Sequence, residues 1–194
     1  MGIALKRGAE VEGMRIAGRA AAVVLGGLER SVTPGVSTLE IDRLAAQLIR
    51  ENGASSAFLG YRGFPGNVCI SVNEQVIHGI GNERVLALGD LVKIDVGVKK
   101  GGWIGDTAAT VSAGPPSDLS SRLILATEAA LFEGIKFARV GFHVGDISAA
   151  VEMEVIRHGF TVVRDFVGHG VGRRLHEEPQ VPNYGRRGTG KQIM

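Results

Sequence analysis

Two aspartates and three histidines are the residues of this chain whose types and spacing invite chemistry. Asp95 and Asp106 lie in LVKIDVGVKKGGWIGDTAATV, Leu91 to Val111. Two alternating runs flank Lys99-Lys100-Gly101-Gly102, so the stretch predicts an antiparallel hairpin. A symmetric loop over those four residues pairs Asp95 directly with Asp106 on one face and leaves Val92, Ile94, Val96 and Val98 on the other. Like charges directly opposite destabilise a sheet, and a divalent cation is one way to neutralise them. Metal ions in paired sites lie about 3.5–4 Å apart, a span two such carboxylates bridge. The alternative is a solvent face with two unrelated aspartates, in keeping with Lys93 and Lys99 on the same side.

Gly168-His169-Gly170-Val171-Gly172 sets a histidine between glycines, where backbone comes close to a ligand. It stands seven residues before His176-Glu177-Glu178-Pro179. Neutral imidazole complements carboxylates around Zn, Mn, Fe or Co; a loop histidine that caps a turn is the plainer reading. Val76-Ile77-His78-Gly79-Ile80 reads as an apolar strand ending in a histidine at a glycine turn, where a backbone hydrogen bond would serve equally well. His143 falls in a turn and His158 in a last helical turn, where a cation suits the helix dipole. Gly185-Arg186-Arg187-Gly188-Thr189-Gly190-Lys191-Gln192 nearly matches a phosphate-binding loop, but Gln192 stands where a hydroxyl must hold Mg²⁺. That loop also follows Pro182-Asn183-Tyr184 instead of an apolar strand, and nucleotide binding is rejected.

The elements that must position these residues begin with a helix over residues 10 to 31. A second follows, with Ser37 as N-cap, Glu40 as capping-box partner and Gly53 as its stop. Short alternating runs from 55 to 111 read as strands. Gly114-Pro115-Pro116-Ser117 opens a third helix to about Arg139, and a fourth runs from about Asp146 to His158, stopped by Gly159. Phe160 to Arg164 is strand-like again. Gly35 to Gly53 and Gly141 to Gly159 both span 18 residues, with Glu40-Ile41 matched by Asp146-Ile147. That is an internal repeat of two related halves or a coincidence between two ordinary helices.

Composition bounds the remaining choices. A chain of 194 residues with 44% hydrophobic and 22% charged residues is long enough for a real core. The longest apolar stretch, Ala20 to Leu28, is too short to span a bilayer, and the first dozen residues carry Lys6, Arg7, Glu10 and Glu12. A soluble, cytoplasmic protein is expected. Net charge is +2, its basic pairs are scattered and aromatics are 5%, which argues against a nucleic-acid surface. Cys69 is the only cysteine, so there is no internal disulfide and no cysteine-built zinc site.

Taken in order, VIHGIG, KIDVGV…GWIGDTAATV and FVGHGVGRRLHEEPQVPNY resemble the type I methionine aminopeptidases, a likeness that runs from GAEVEGMRIAG onward through the whole chain. The resemblance implies an α+β pita-bread fold with pseudo-symmetric halves, which would explain the repeat. It implies removal of N-terminal methionine from nascent proteins when the second residue is small. It implies two divalent metal ions (Co, Mn, Fe or Zn) held by Asp95, Asp106 and His169, with Asp106 bridging. His78 and His176 would contact the substrate and its transition state, and Tyr61, Phe64, Cys69 and Leu175 would line the methionine pocket. Two further glutamates, one of them also a general acid/base, belong to final strands that no residue here matches. The expectation is therefore a single catalytic domain over 1–194, C-terminally incomplete. It would be a monomer acting on N-terminal peptides of nascent chains at the ribosome, with no membrane or nucleic-acid partner. A proline-specific peptidase relative or a non-catalytic binding module of the same fold are the competing readings. The first usually carries an extra N-terminal domain; the second often loses the ligands that Asp95, Asp106 and His169 supply here.

Overall fold

The computed structural model describes residues 3–194. Their contacts fall into two compact units: Leu5–Ser117 with Val171–Leu175, and Asp118–Gly170 with His176–Met194 and the chain start at Ile3 and Ala4. No helix among the described residues is long and apolar enough to cross a membrane.

In the first unit, α1 (Ala9–Glu29) and α2 (Thr38–Glu51) precede β1 (Ser55–Ser56), β2 (Cys69–Val72), β3 (Leu91–Lys100) and β4 (Trp103–Ser112). Ser37 caps α2 as expected: its hydroxyl accepts from Glu40 N while Glu40 accepts from Ser37 N. The sheet is antiparallel, with β3 in the middle, β4 on one edge, and β1 and β2 along the other. Val92, Ile94, Val96 and Val98 are fully buried and pack with Val24, Leu28, Ile41 and Ala45, so the alternation assigned the core face correctly. Helix α1 lies close on β4 because Gly105 has no side chain; a Cβ there would sit 2.2 Å from Ala17 O.

The β3–β4 turn is tighter than the symmetric four-residue loop. Lys100 pairs with Trp103, leaving Gly101-Gly102 as a two-residue turn with φ of 59° and 79°. Two positive φ values suit the hand of turn that matches strand twist, and glycine reaches them without steric cost. Asp95 is therefore opposite Ala108 and Asp106 opposite Gly97. The aspartates are diagonal neighbours, not a direct pair; the slip of two residues keeps both on one face.

Val76–Ile80 is not a strand. The segment runs beside β2, with Ile70 N donating to Gly79 O at 2.9 Å and Gly79 N donating to Ser71 Oγ at 2.9 Å. A Cβ on Gly79 would lie 2.1 Å from Ile70 O, and His78 takes a φ of 60° to reach this approach. That left-handed backbone at His78 breaks the alternation the side chains suggest.

The second unit contains α3 (Asp118–Ile135), α4 (Val144–Arg157), β5 (Val167–Gly170) and β6 (Glu177–Pro182), with β5 and β6 antiparallel. Helix α3 ends before Arg139, and the strand begins at Val167 instead of Phe160. Side chains hold the intervening segment: Arg164 pairs with Glu152 at 2.5 Å and stacks on Tyr184, and Asn183 Nδ2 donates to Val163 O. His143 is the N-cap of α4, its N–H donating to Asp146 Oδ2 at 2.7 Å.

The repeat is real. Gly35 and Gly141 have φ of 93° and 95°, and Gly53 and Gly159 have 62° and 80°. Thr38 N and Leu39 N donate to Arg84 O and Asn82 O, just as Val144 N and Gly145 N donate to Lys191 O and Thr189 O. The glycine-rich stretch before Gln192 thus occupies the first amides of α4, and no helix follows it among the described residues.

Candidate metal and peptide site

In the first unit the carboxylate pair is built by the hairpin. Asp95 and Asp106 are close enough that the charge of one disfavours the charge of the other. Burial first, then the neighbouring charge of Asp106, push the Asp95 carboxyl up to about 7. Two largely buried carboxylates that disfavour each other's charge are a pair that a cation would stabilise, so these donors fit a divalent ion. Lys93 on the same face does not serve as a solvated counter-charge; it donates its ammonium to Asn73 O at 2.6 Å, and partial burial lowers its pKa.

Directly across β2–β3 from Asp95 stands Cys69. Its thiol is buried and pushed up to about 12 by desolvation, then by Asp95 and Asp106, so it is an inert apolar group at neutral pH. Cys69 belongs to a cluster with Phe58, Ile104 and Leu175, ringed by Ala57, Tyr61, Phe64 and Val171. All four residues expected to line an apolar pocket fall in that cluster. The sequence reading missed Phe58 and Ile104. Ile104 was open to detection, lying two residues from Asp106 and so on its face. Phe58 was not: its ring fills the space over Gly97, where a Cβ would lie 2.2 Å away. His78 is exposed beside Gly79, held there by the contact with β2.

In the second unit His169 lies on β5 and His176 immediately precedes β6, their ring centroids 4.2 Å apart. The pairing shifts between His169, opposite Gln180, and Gly170, opposite Glu177. Gly170 permits that crossing, since a Cβ would sit 2.4 Å from Glu178 O. His169 Nδ1 lies 2.9 Å from Gly170 O. A carbonyl can only accept, so Nδ1 carries the hydrogen of this contact, the usual arrangement of an imidazole that binds metal through Nε2. Among the described residues no three His, Cys, Asp or Glu side chains are gathered closely enough to hold a metal ion.

Residues 12–194 match the profile of metallopeptidase family M24. The chain is 45% identical over 192 residues to a methionine aminopeptidase of Clostridium perfringens, covering 99% of this chain and 77% of that protein. A methionine aminopeptidase of Escherichia coli K12 is 44% identical over 191 residues, covering 97% and 72%. The crystal structure of methionine aminopeptidase from Rickettsia prowazekii superposes with a TM-score of 0.97 at 39% identity, over 100% of this chain and 78% of that one. A prolidase from Pyrococcus furiosus shares the fold, with a TM-score of 0.82 at 22% identity over 94% and 53%.

Proposed function

Because the chain belongs to metallopeptidase family M24 and has its pita-bread fold, we propose that it is a methionine aminopeptidase. It removes N-terminal methionine from peptides, nascent chains at the ribosome among them, when the second residue is small. One observation carries the reading: an apolar cluster reaches the carboxylate pair through Cys69, directly across from Asp95. An unbranched thioether beside a cation-binding pair is what methionine removal requires. The prolidase likeness carries the fold alone.

Asp95, Asp106 and His169 are the proposed metal ligands, an assignment carried by the family motifs, with two ions drawn from Co, Mn, Fe and Zn. The further glutamates that the resemblance implies have no match in the 194 residues, so the ligand set proposed is confined to these three. A divalent ion there supplies Lewis acidity to the scissile carbonyl and to the attacking water. The side chains do the rest. Phe58, Phe64, Ile104 and Leu175 exclude water from the methionine side chain, with the Phe58 and Phe64 rings edge to face at 6.5 Å. Cys69, kept as a thiol, adds no charge to the pocket. His78 and His176 donate hydrogen bonds where negative charge develops on the peptide oxygen. The reading also places the protein in the cytoplasm, as a monomer.

The test supplies the full-length protein with Mn²⁺ or Co²⁺ and follows release of free methionine from Met-Gly and Met-Leu tripeptides. Release from Met-Gly alone, abolished by chelator and by Asp106→Ala, is expected. Equal release from both peptides, or release that survives chelation, would refute the proposal.

A further inference from the structure

We propose that Arg173, stacked on Trp103, is a positioning residue that fixes the strap carrying His169 and His176 at its two ends. The inference rests on the roles proposed above for those histidines. Arg173 and Arg174 form one of the scattered basic pairs of the sequence. In the first unit, however, the Arg173 guanidinium carbon lies 4.2 Å from the centroid of the Trp103 ring. Trp103 is only 6% exposed, so the planar cation covers one of its faces. The guanidinium also rests on the hairpin turn, where a Cβ on Gly102 would meet Nη1 at 3.4 Å.

Two neighbours complete the fastening. Ile104 N donates to Gly172 O at 2.8 Å, and Leu175 is buried against Phe58, Cys69 and Ile104. Residues 171–175 are thereby tied at Gly172, Arg173 and Leu175 to the start of β4, two residues before Asp106. His169 lies two residues before this strap and His176 one residue after it. Fixing the strap removes backbone freedom from both histidines before any ligand arrives, and small misplacements of such groups are costly to a reaction. Lysine cannot replace the contact in kind, because an ammonium is a point charge and does not stack.

Trp103 is the one tryptophan of these 194 residues, and the emission lost in Trp103→Phe isolates its signal. In the full-length protein we would compare Arg173→Ala, Arg173→Lys and Trp103→Phe, with His169→Ala as reference. The measurements are tryptophan emission, urea unfolding, Mn²⁺ affinity by calorimetry, and kcat and KM on a Met-Gly tripeptide. Arg173→Ala is expected to shift emission to the red while urea unfolding stays a single cooperative transition. It should weaken Mn²⁺ binding about five- to thirty-fold, the range of a cation–aromatic contact, and lower kcat more than it raises KM. Arg173→Lys should recover part of the loss, and Trp103→Phe, which keeps an aromatic face, should stay within about three-fold of wild type. Wild-type Mn²⁺ affinity and kcat in Arg173→Ala, while His169→Ala loses the metal, would overturn the positioning role and leave the metal reading standing. Unchanged Mn²⁺ binding in His169→Ala would overturn both. Full rescue by lysine, or loss of the cooperative urea transition in Arg173→Ala, would mark Arg173 as generally structural and also overturn it.

Discussion

Replacing Asp95 by asparagine should stabilise the metal-free protein at neutral pH and destabilise it relative to wild type once metal is present. The folded protein holds a proton on the pair up to about pH 7, whereas a free aspartate releases it near 3.8. For a group whose folded pKa is raised, the sign is fixed: stability is fullest below 3.8 and is lost as pH rises through about 7. At about 1.4 kcal/mol per pKa unit, a rise of roughly three units costs the folded state up to about 4 kcal/mol above pH 7. Halving this for the pair's partial exposure leaves about 2 kcal/mol. Asparagine keeps the shape and a hydrogen bond but not the charge, so Asp95→Asn should gain about 2 kcal/mol at pH 8 in chelator and almost nothing at pH 4. The titration belongs to the Asp95–Asp106 dyad, so the gain should develop gradually between those limits. Adding Mn²⁺ reverses the order, because ligand at a hundred times its Kd stabilises only the protein that binds it, by about 2.7 kcal/mol. Urea denaturation followed by circular dichroism at pH 4 and pH 8, with chelator and with Mn²⁺, measures all four values. A loss of stability in Asp95→Asn at pH 8 in chelator, or a gain that does not depend on pH, would refute the reasoning.

Three further outcomes are expected. Gly105→Ala drives a methyl to 2.2 Å from Ala17 O, a backbone atom that cannot rotate away, and should cost about 3 kcal/mol by overpacking. Gly18→Ala, at an exposed α1 position with nothing within 4 Å, should instead gain about 0.5–1 kcal/mol; urea midpoints of the two variants check both signs. The Cys69 thiol, buried and pushed up to about 12, should resist a disulfide reagent at pH 8 in the native protein and react stoichiometrically after unfolding. His78→Ala and His176→Ala should retain Mn²⁺ by calorimetry and lose about 10²–10³ in kcat, as when one transition-state donor is removed; metal loss in proportion to activity would give them a different role.

Local chemistry made much of this protein legible. Ser37 and Glu40 announce a capped helix because the cap is completed within four residues. Asp146 repeats Glu40's place in the second half, and the glycines at 35, 53, 141 and 159 all take the positive φ that ends or begins a helix. Alternation from Val92 to Val98 assigned the buried face of β3, and with it the shared face of Asp95 and Asp106. That assignment survived an error in register because side chains repeat every two residues, and the true pairing differs by two. What the tertiary structure alone decided lies in contacts between distant segments. Phe58 settling over Gly97, Cys69 facing Asp95 and Arg173 covering Trp103 each join positions that share no local pattern. The Asp95 pKa is of the same kind. Its rise comes from burial and from Asp106, and both exist only once the hairpin has folded and its face is covered.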